Sequence, residues 1–192
     1  MKSVEELIDK LGFTFNIPHA ELEYDEENDD NTYIADIVGQ IVLTFLAAKI
    51  RELGARASTT NVASQTSAYK EAASNYSDIY LSLELLVKPD VDMSMAAVNY
   101  FKIPDETGLS LASSIATRLE HEGIFSAVKI GEADNPITAE EDRIPGIVIK
   151  MLVGNEALCE FNEDRDAFIL RVADGICYGI LDGYVEFGER ID

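Results

Sequence analysis

The feature that most limits the fold of this chain is an alternation. Short apolar, β-prone runs are separated repeatedly by longer stretches with helical periodicity. Phe13 to Ile17 reads as a short strand ended by Pro18, and Arg56 to Thr59 as another. Ile79-Tyr80-Leu81-Ser82-Leu83, Ala96 to Ile103 and Pro145 to Val153 are more continuously apolar, as in strands buried on both faces. From Thr32 to Leu53, Ile34, Ile37, Val38, Ile41, Phe45, Ala48 and Leu53 share one helical face, and Gly54 closes the helix. Ser67 to Asn75, Thr107 to Glu122 and Asp164 to Leu181 are further predicted helices. A shorter one, Val4 to Leu11, starts at a Ser3 cap and stops at Gly12. Strands interleaved with helices build βαβ units. The expected fold is therefore α/β, a mostly parallel twisted sheet with helices on both faces. No repeat or linker divides the 192 residues, so one domain over 1–192 is expected.

Charge narrows the partners. Between Glu21 and Asp30 almost every residue is acidic, which predicts an acidic loop over 20–31, solvated or serving as a cation-attracting lip. The whole chain carries a formal charge of −21. Nucleic-acid binding draws its affinity from Lys and Arg neutralising phosphates, so that class is excluded. Anionic membrane surfaces repel such a chain as well. Metal ions and basic surfaces remain open, and the same charge also serves solubility. No transmembrane segment is expected, because no apolar stretch is long enough to span a bilayer. Met1 to Leu7 places acids where a secretory signal has its apolar core. A cytoplasmic chain without signal peptide is expected, reaching the outside only by another route of release. Cys159 and Cys177 form no CxxC pair and read as buried thiols. No P-loop or GxGxxG is present, and the Ser/Thr residues of 58–67 lack a recognisable His-Asp partnership.

Several local stretches carry a further likeness. In order they are Asn16-Ile17-Pro18-His19; the helix end Leu53-Gly54-Ala55; Ser77-Asp78-Ile79-Tyr80-Leu81-Ser82-Leu83-Glu84; Gly108-Leu109-Ser110-Leu111-Ala112-Ser113-Ser114-Ile115; Pro145-Gly146-Ile147-Val148-Ile149-Lys150 with Gly154-Asn155-Glu156 beyond; and Ile176 ahead of Gly179-Ile180. From about Phe13 to Tyr184 this succession resembles the zinc-dependent N-acetylmuramoyl-L-alanine amidases, which cut the lactoyl–peptide amide of peptidoglycan. That family has a strand running into Asp-Pro-Gly-His, then a helix begun by a glutamate and ended by Gly-Ala. A strand Ala-Asp-Leu-Phe-Val-Ser-Ile-His and a later strand Pro-Ala-Val-Leu-Val-Glu follow.

The resemblance implies His19 as one metal ligand, Asp36 near the place of the ligand glutamate, and Glu84 where the third ligand, a histidine, belongs. Lys150 stands where the family has its catalytic glutamate. One imidazole and two carboxylates could hold Zn²⁺ or another divalent cation, with a preference shifted toward harder ions such as Mn²⁺, Mg²⁺ or Ca²⁺. The second histidine, His121, falls on a helix that in the family lies away from the metal. Lys150 changes the chemistry more. The family's glutamate takes a proton from metal-bound water, and a protonated lysine cannot accept one. A Lys150–Glu84 or Lys150–Asp36 ion pair would put an ammonium where the cation was, with no cofactor needed. Each residue also has a plainer reading: His19 as a surface or capping group, Asp36 answering the helix dipole, and Glu84 at the strand end where open α/β sheets place ligand groups or as a solvated edge. Lys150, in an apolar strand, needs a partner or a solvent-filled cleft.

The expected function is thus a divergent amidase-like domain, catalytically degenerate, whose cleft is reused to bind a peptidoglycan fragment or a protein partner. The alternatives are an active metal-dependent amidase or peptidase acting on muramoyl-peptide amides, and a structural or interaction protein with no small-molecule site.

Overall fold

A computed structural model of the chain describes residues 8–17, 29–60, 62, 64–103, 106–139 and 142–191, with the backbone alone at 29–36 and 185–191. Among these residues the elements run β1 (Gly12–Asn16), α1 (Asp29–Glu52), β2 (Arg56–Thr60), α2 (Gln65–Ser74), β3 (Ile79–Val87), β4 (Met95–Phe101), α3 (Thr107–His121), β5 (Ala127–Ala133), β6 (Gly146–Val153), α4 (Asn155–Glu163) and α5 (Arg165–Ile191). The strands form one six-stranded sheet in the order β2-β1-β3-β6-β4-β5. β2, β1, β3 and β6 are mutually parallel, β4 runs antiparallel to β6, and β5 is parallel to β4. The mostly parallel α/β sheet read from the sequence is therefore present, with its last two strands reversed.

Alternation along the strands divides the sheet into two unlike faces. One face carries Phe13, Phe15, Ile79, Leu81, Leu83, Ile147, Ile149 and Met151 into the main core. There they meet Val42, Leu46 and Ile50 of α1, Leu111, Ile115 and Leu119 of α3, and Phe168, Val172 and Ile176 of α5. The other face is covered by a smaller cluster, in which Ala68, Tyr69 and Ala72 of α2 pack on Tyr80, Phe101 and Val148. Helices lie on both faces, but unequally.

Local chemistry explains the breaks. Gly54 and Gly123 close α1 and α3 with φ of 94° and 71°, a region that L side chains rarely adopt. The Ser64 hydroxyl accepts from the Ser67 amide at 3.3 Å and starts α2 two residues before the predicted helix. At Asp164 the backbone leaves the helix, and its carboxylate caps the next one through the Ala167 amide at 3.0 Å. The single helix expected from Asp164 is thus preceded by a separate helix, α4, that the sequence did not announce. β5 was also missed. It is an edge strand paired only with β4, and its half-exposed residues form no apolar run.

Of the acidic stretch 20–31, residues 20–28 lie outside the described residues, as do Val4 to Leu7 of the first expected helix. Asp29 to Asn31 belong to α1, which begins three residues earlier than Thr32. Cys177 is buried and Cys159 exposed, both as free thiols, so the expectation of two buried cysteines fails at Cys159. That residue lies on α4, a helix of mostly exposed polar side chains. Among the described residues no helix is long and apolar enough to cross a membrane.

The long helices α3 and α5 approach closely because Gly175, Gly179 and Gly183, spaced four apart, face Leu119, Ile115 and Leu111. A Cβ at Gly179 would stand 2.4 Å from the Ile115 Cα, so one helix would have to move. Gly179→Ala is expected to destabilise by about 1–3 kcal/mol in urea unfolding, the clash outweighing the gain in helix propensity. Gly39→Ala meets only ordinary contacts with Ile17, nearest 3.7 Å, and is expected to stabilise by up to about 1 kcal/mol. Burial pushes the Cys177 thiol up to about 11, with Lys49 opposing the shift and Asp174 adding to it. At pH 8 a maleimide should label Cys159 in the native protein and Cys177 only after denaturation.

Candidate functional site

The site is built on the central ladder of the sheet. β3 and β6 pair in parallel from Tyr80–Gly146 through Val87–Val153, and this register sets Glu84 directly beside Lys150. Both side chains leave the sheet on the face opposite the main core, since Leu83 and Ile149 next to them are fully buried in it. The Lys150 Nζ lies 2.9 Å from the Glu84 Oε2, with the side chains 57% and 32% exposed. The other carboxylate oxygen, Oε1, accepts from the Gln65 Nε2 at 2.9 Å. Gln65 is the first residue of α2, and the cap at Ser64 fixes where that helix begins over β3.

A buried polar chain continues from this point. The Tyr80 hydroxyl donates to the Gln65 carbonyl at 3.3 Å and accepts from the Asn16 Nδ2 at 3.2 Å. Asn16, at the end of β1, is fully buried, and its Oδ1 has no partner among the described residues. Burial raises the Tyr80 hydroxyl above its ordinary value, opposed by its polar neighbours Ser82 and Asn16 and reinforced by the charge of Glu84. The phenol therefore stays protonated and available as a donor. Asn16, Tyr80, Gln65, Glu84 and Lys150 form one continuous series of polar contacts across β1, β3, α2 and β6.

The residues singled out in the sequence fare unequally. Glu84 and Lys150 are brought together. Glu84 was expected at the C-terminal end of its strand, and that placement is corrected. Leu85, Leu86 and Val87 continue the ladder opposite Met151, Leu152 and Val153, so the pair sits within the sheet. His19 lies outside the described residues. Asp36 lies in α1, whose side chain at this position is not among those described. That helix packs on the main-core face, across the sheet from Glu84 and Lys150. His121 is exposed in the last turn of α3. Gln65, Tyr80 and Asn16 were not singled out. Gln65 falls in a polar run that reads as loop, and Tyr80 reads as ordinary core.

Among the described residues, Glu84 is held in an ion pair. Both oxygens of Glu84 are engaged, and a cation bound there would stand against the Lys150 ammonium. Among the described residues no group of three or more His, Cys, Asp or Glu is placed to hold a metal ion. The pair can offer an anionic or amide-bearing ligand an ammonium and a carboxylate side by side.

No protein-family model matches the chain, and no curated protein sequence does. Solved structures do. The N-acetylmuramoyl-L-alanine amidase AmiC2 of Nostoc punctiforme aligns over 92% of this chain and 97% of its own at a TM-score of 0.63, with 14% identity. The amidase Ami1 of Mycobacterium abscessus, in its apo form, aligns over 91% and 98% at 0.68, with 11% identity. The CwlD amidase of Clostridioides difficile, seen in complex with the GerS lipoprotein, aligns over 91% and 98% at 0.62, with 15% identity. The chain thus has the fold of the N-acetylmuramoyl-L-alanine amidases over nearly its whole length. At these identities the likeness establishes the fold and leaves the activity to the residues.

Tyr80→Phe keeps the ring and removes the only partner of the buried Asn16 amide among the described residues. It should cost about 1–3 kcal/mol by urea unfolding. A cost near zero would mean that the network contributes nothing to stability.

Proposed function

We propose that this chain is a catalytically degenerate amidase-like domain whose cleft binds rather than cuts. The observation that carries the reading is the Lys150–Glu84 pair at 2.9 Å, with Gln65 holding the second carboxylate oxygen. By the resemblance, these two positions are a metal ligand and the catalytic base. Here the ligand position is neutralised by an ammonium, and the base position carries a group that donates protons. No water-activating step can be built from a charged lysine and a carboxylate already engaged by two donors.

The same pair supplies a rationale for binding. Lys150 is more than half exposed and projects from a face that α2 only partly covers. A peptidoglycan stem peptide carries carboxylates that an ammonium can meet, and its amides can meet Glu84 and Gln65. A protein partner is a second occupant of the same chemistry. The GerS complex of the CwlD amidase lends support, since a domain of this fold is there engaged by another protein.

An ion pair this exposed is worth about 0.2–1 kcal/mol, so Lys150→Met should barely change the unfolding midpoint. The test is elemental analysis of the chelator-free protein before and after incubation with zinc and manganese, run alongside a muramoyl-dipeptide hydrolysis assay. We expect metal well below one equivalent and no cleavage, and weaker muramoyl-dipeptide binding in Lys150→Met. Near-stoichiometric metal that is lost in His19→Ala, together with cleavage, would overturn the reading in favour of an active metal-dependent amidase.

A further inference from the structure

Tyr76 breaks a rule that the chain obeys elsewhere. It follows α2 in the left-handed region, with φ 57°. The helix end is closed by the Tyr76 amide on the Ala73 carbonyl at 3.1 Å and the Ser77 amide on the Ala72 carbonyl at 3.0 Å. This closing turn favours glycine, because a Cβ is crowded there. The chain uses Gly54 and Gly123 in the left-handed conformation after α1 and α3. A tyrosine in its place loses stability and recovers nothing by packing, since Tyr76 is 87% exposed. A residue that costs stability without any contact inside the fold points outside it.

What surrounds the ring gives that outside partner a chemistry. Beside Tyr76 a groove of about 360 Å³ opens between α2 and the β1–β2 edge. Its floor carries the hydroxyls of Thr14, Ser58 and Ser77, with Thr14 Oγ1 at 3.1 Å from Ser58 and 2.6 Å from Ser77. Glu71 and Asn75 line its α2 wall, and Arg56, 3.8 Å from Asp78, stands at its mouth. A second groove, of about 740 Å³, runs along the other side of Tyr76 past Lys70, Asp78 and Asp142. The ring therefore stands between two grooves of mixed polar and apolar lining, of a size that accepts small molecules.

We propose that Tyr76 and these grooves form a saccharide-binding site. A sugar ring presents hydroxyls that pair with carboxylate, amide and guanidinium groups, and an apolar CH face that stacks on an exposed aromatic ring. The competing ligands fit less well. Phosphate-bearing ligands meet Glu71 and Asp78 in a chain of net charge −21. A protein partner would look for a deep apolar anchor pocket, and the apolar part of this lining is mostly alanine beside the hydroxyls of Thr14, Ser58 and Ser77. The site lies along β2 and at the N-terminal ends of β1 and β3, whereas Glu84 and Lys150 lie past the middle of β3 and within β6. It is independent of the function proposed above.

The test is a titration of the ¹⁵N-labelled protein with chitotetraose and, in parallel, maltotetraose, followed by amide chemical shifts. The expected result is saturable shifts centred on 56–60 and 71–77 with at least one of the two. Tyr76→Ala should weaken that binding by about tenfold or more, and Tyr76→Phe should retain it, because stacking needs the ring and not the hydroxyl. Tyr76→Gly should lose binding and raise the melting temperature, and Tyr178→Ala, at a half-exposed tyrosine stacked by Arg118, should leave binding unchanged. No saturable shift with either saccharide would overturn the proposal. So would shifts confined to 80–86 and 146–152, affinity indifferent to Tyr76→Ala, or a melting temperature lowered by Tyr76→Gly.

Discussion

The parallel ladder between β3 and β6 is the element on which the rest of the structure depends. It joins the β2-β1-β3 half of the sheet to the reversed β4-β5 pair, so every strand is tied to it directly or through one neighbour. Its register fixes two faces at once. With Leu81 opposite Ile147 and Leu83 opposite Ile149, one face is continuous apolar core. The same register then forces Ser82, Glu84 and Lys150 onto the other face. A slip of one residue would send the lysine and the glutamate into the main core and leave the leucines in solvent. The burial of Leu81, Leu83, Ile147 and Ile149, all at 0–1% exposure, is what makes that slip prohibitive.

Much of this was legible because burial leaves a pattern in sequence. The runs Ile79 to Leu83 and Pro145 to Val153 are strands because both faces of the central ladder need apolar residues along most of their length. Gly54 and Gly123 mark helix ends because few other residues tolerate the left-handed turn found there. What escaped obeys the opposite logic. β5 is paired on one side only and carries Lys129 and Glu132 among its residues, so no apolar run betrays it. α4 has only Ala157 and Phe161 buried, too few to give a helical stripe. The reversal of β4 and β5 has no local signature, since strand direction is decided by which edge a returning chain reaches. For the site, the charge of Lys150 inside an apolar run was visible, whereas Gln65 was not. Its role comes from a helix cap that sets where α2 sits over β3.

The polar series from Asn16 to Lys150 is hard to explain by stability alone. Asn16 is fully buried, and its Oδ1 has no partner among the described residues, an omission that costs about 1–3 kcal/mol. The Glu84–Lys150 pair is too exposed to repay it. Well-packed apolar residues at such positions would serve folding as well or better. The resemblance read from the sequence would put Glu84 and Lys150 at a metal ligand and the catalytic glutamate of the amidases. On the reading proposed above, the polar character of this face serves a ligand and not the fold.

Tyr76 and Lys150 then follow from one argument applied at two places, the turn before β3 and the central ladder. Each side chain stands where a different residue would fold better: glycine in a left-handed turn, an aliphatic residue in an apolar strand. Neither recovers that loss from its surroundings, because the tyrosine has almost none and the ion pair is open to water. They differ in what they present. Lys150 offers charge beside a carboxylate and an amide, suited to a peptide; Tyr76 offers an apolar ring between hydroxyl-lined and charged grooves, suited to a sugar. A ligand containing both chemistries could engage both places only by passing along the face of the sheet that α2 half covers. The two sites, if occupied together, would therefore have to be bridged around that helix and not through the core.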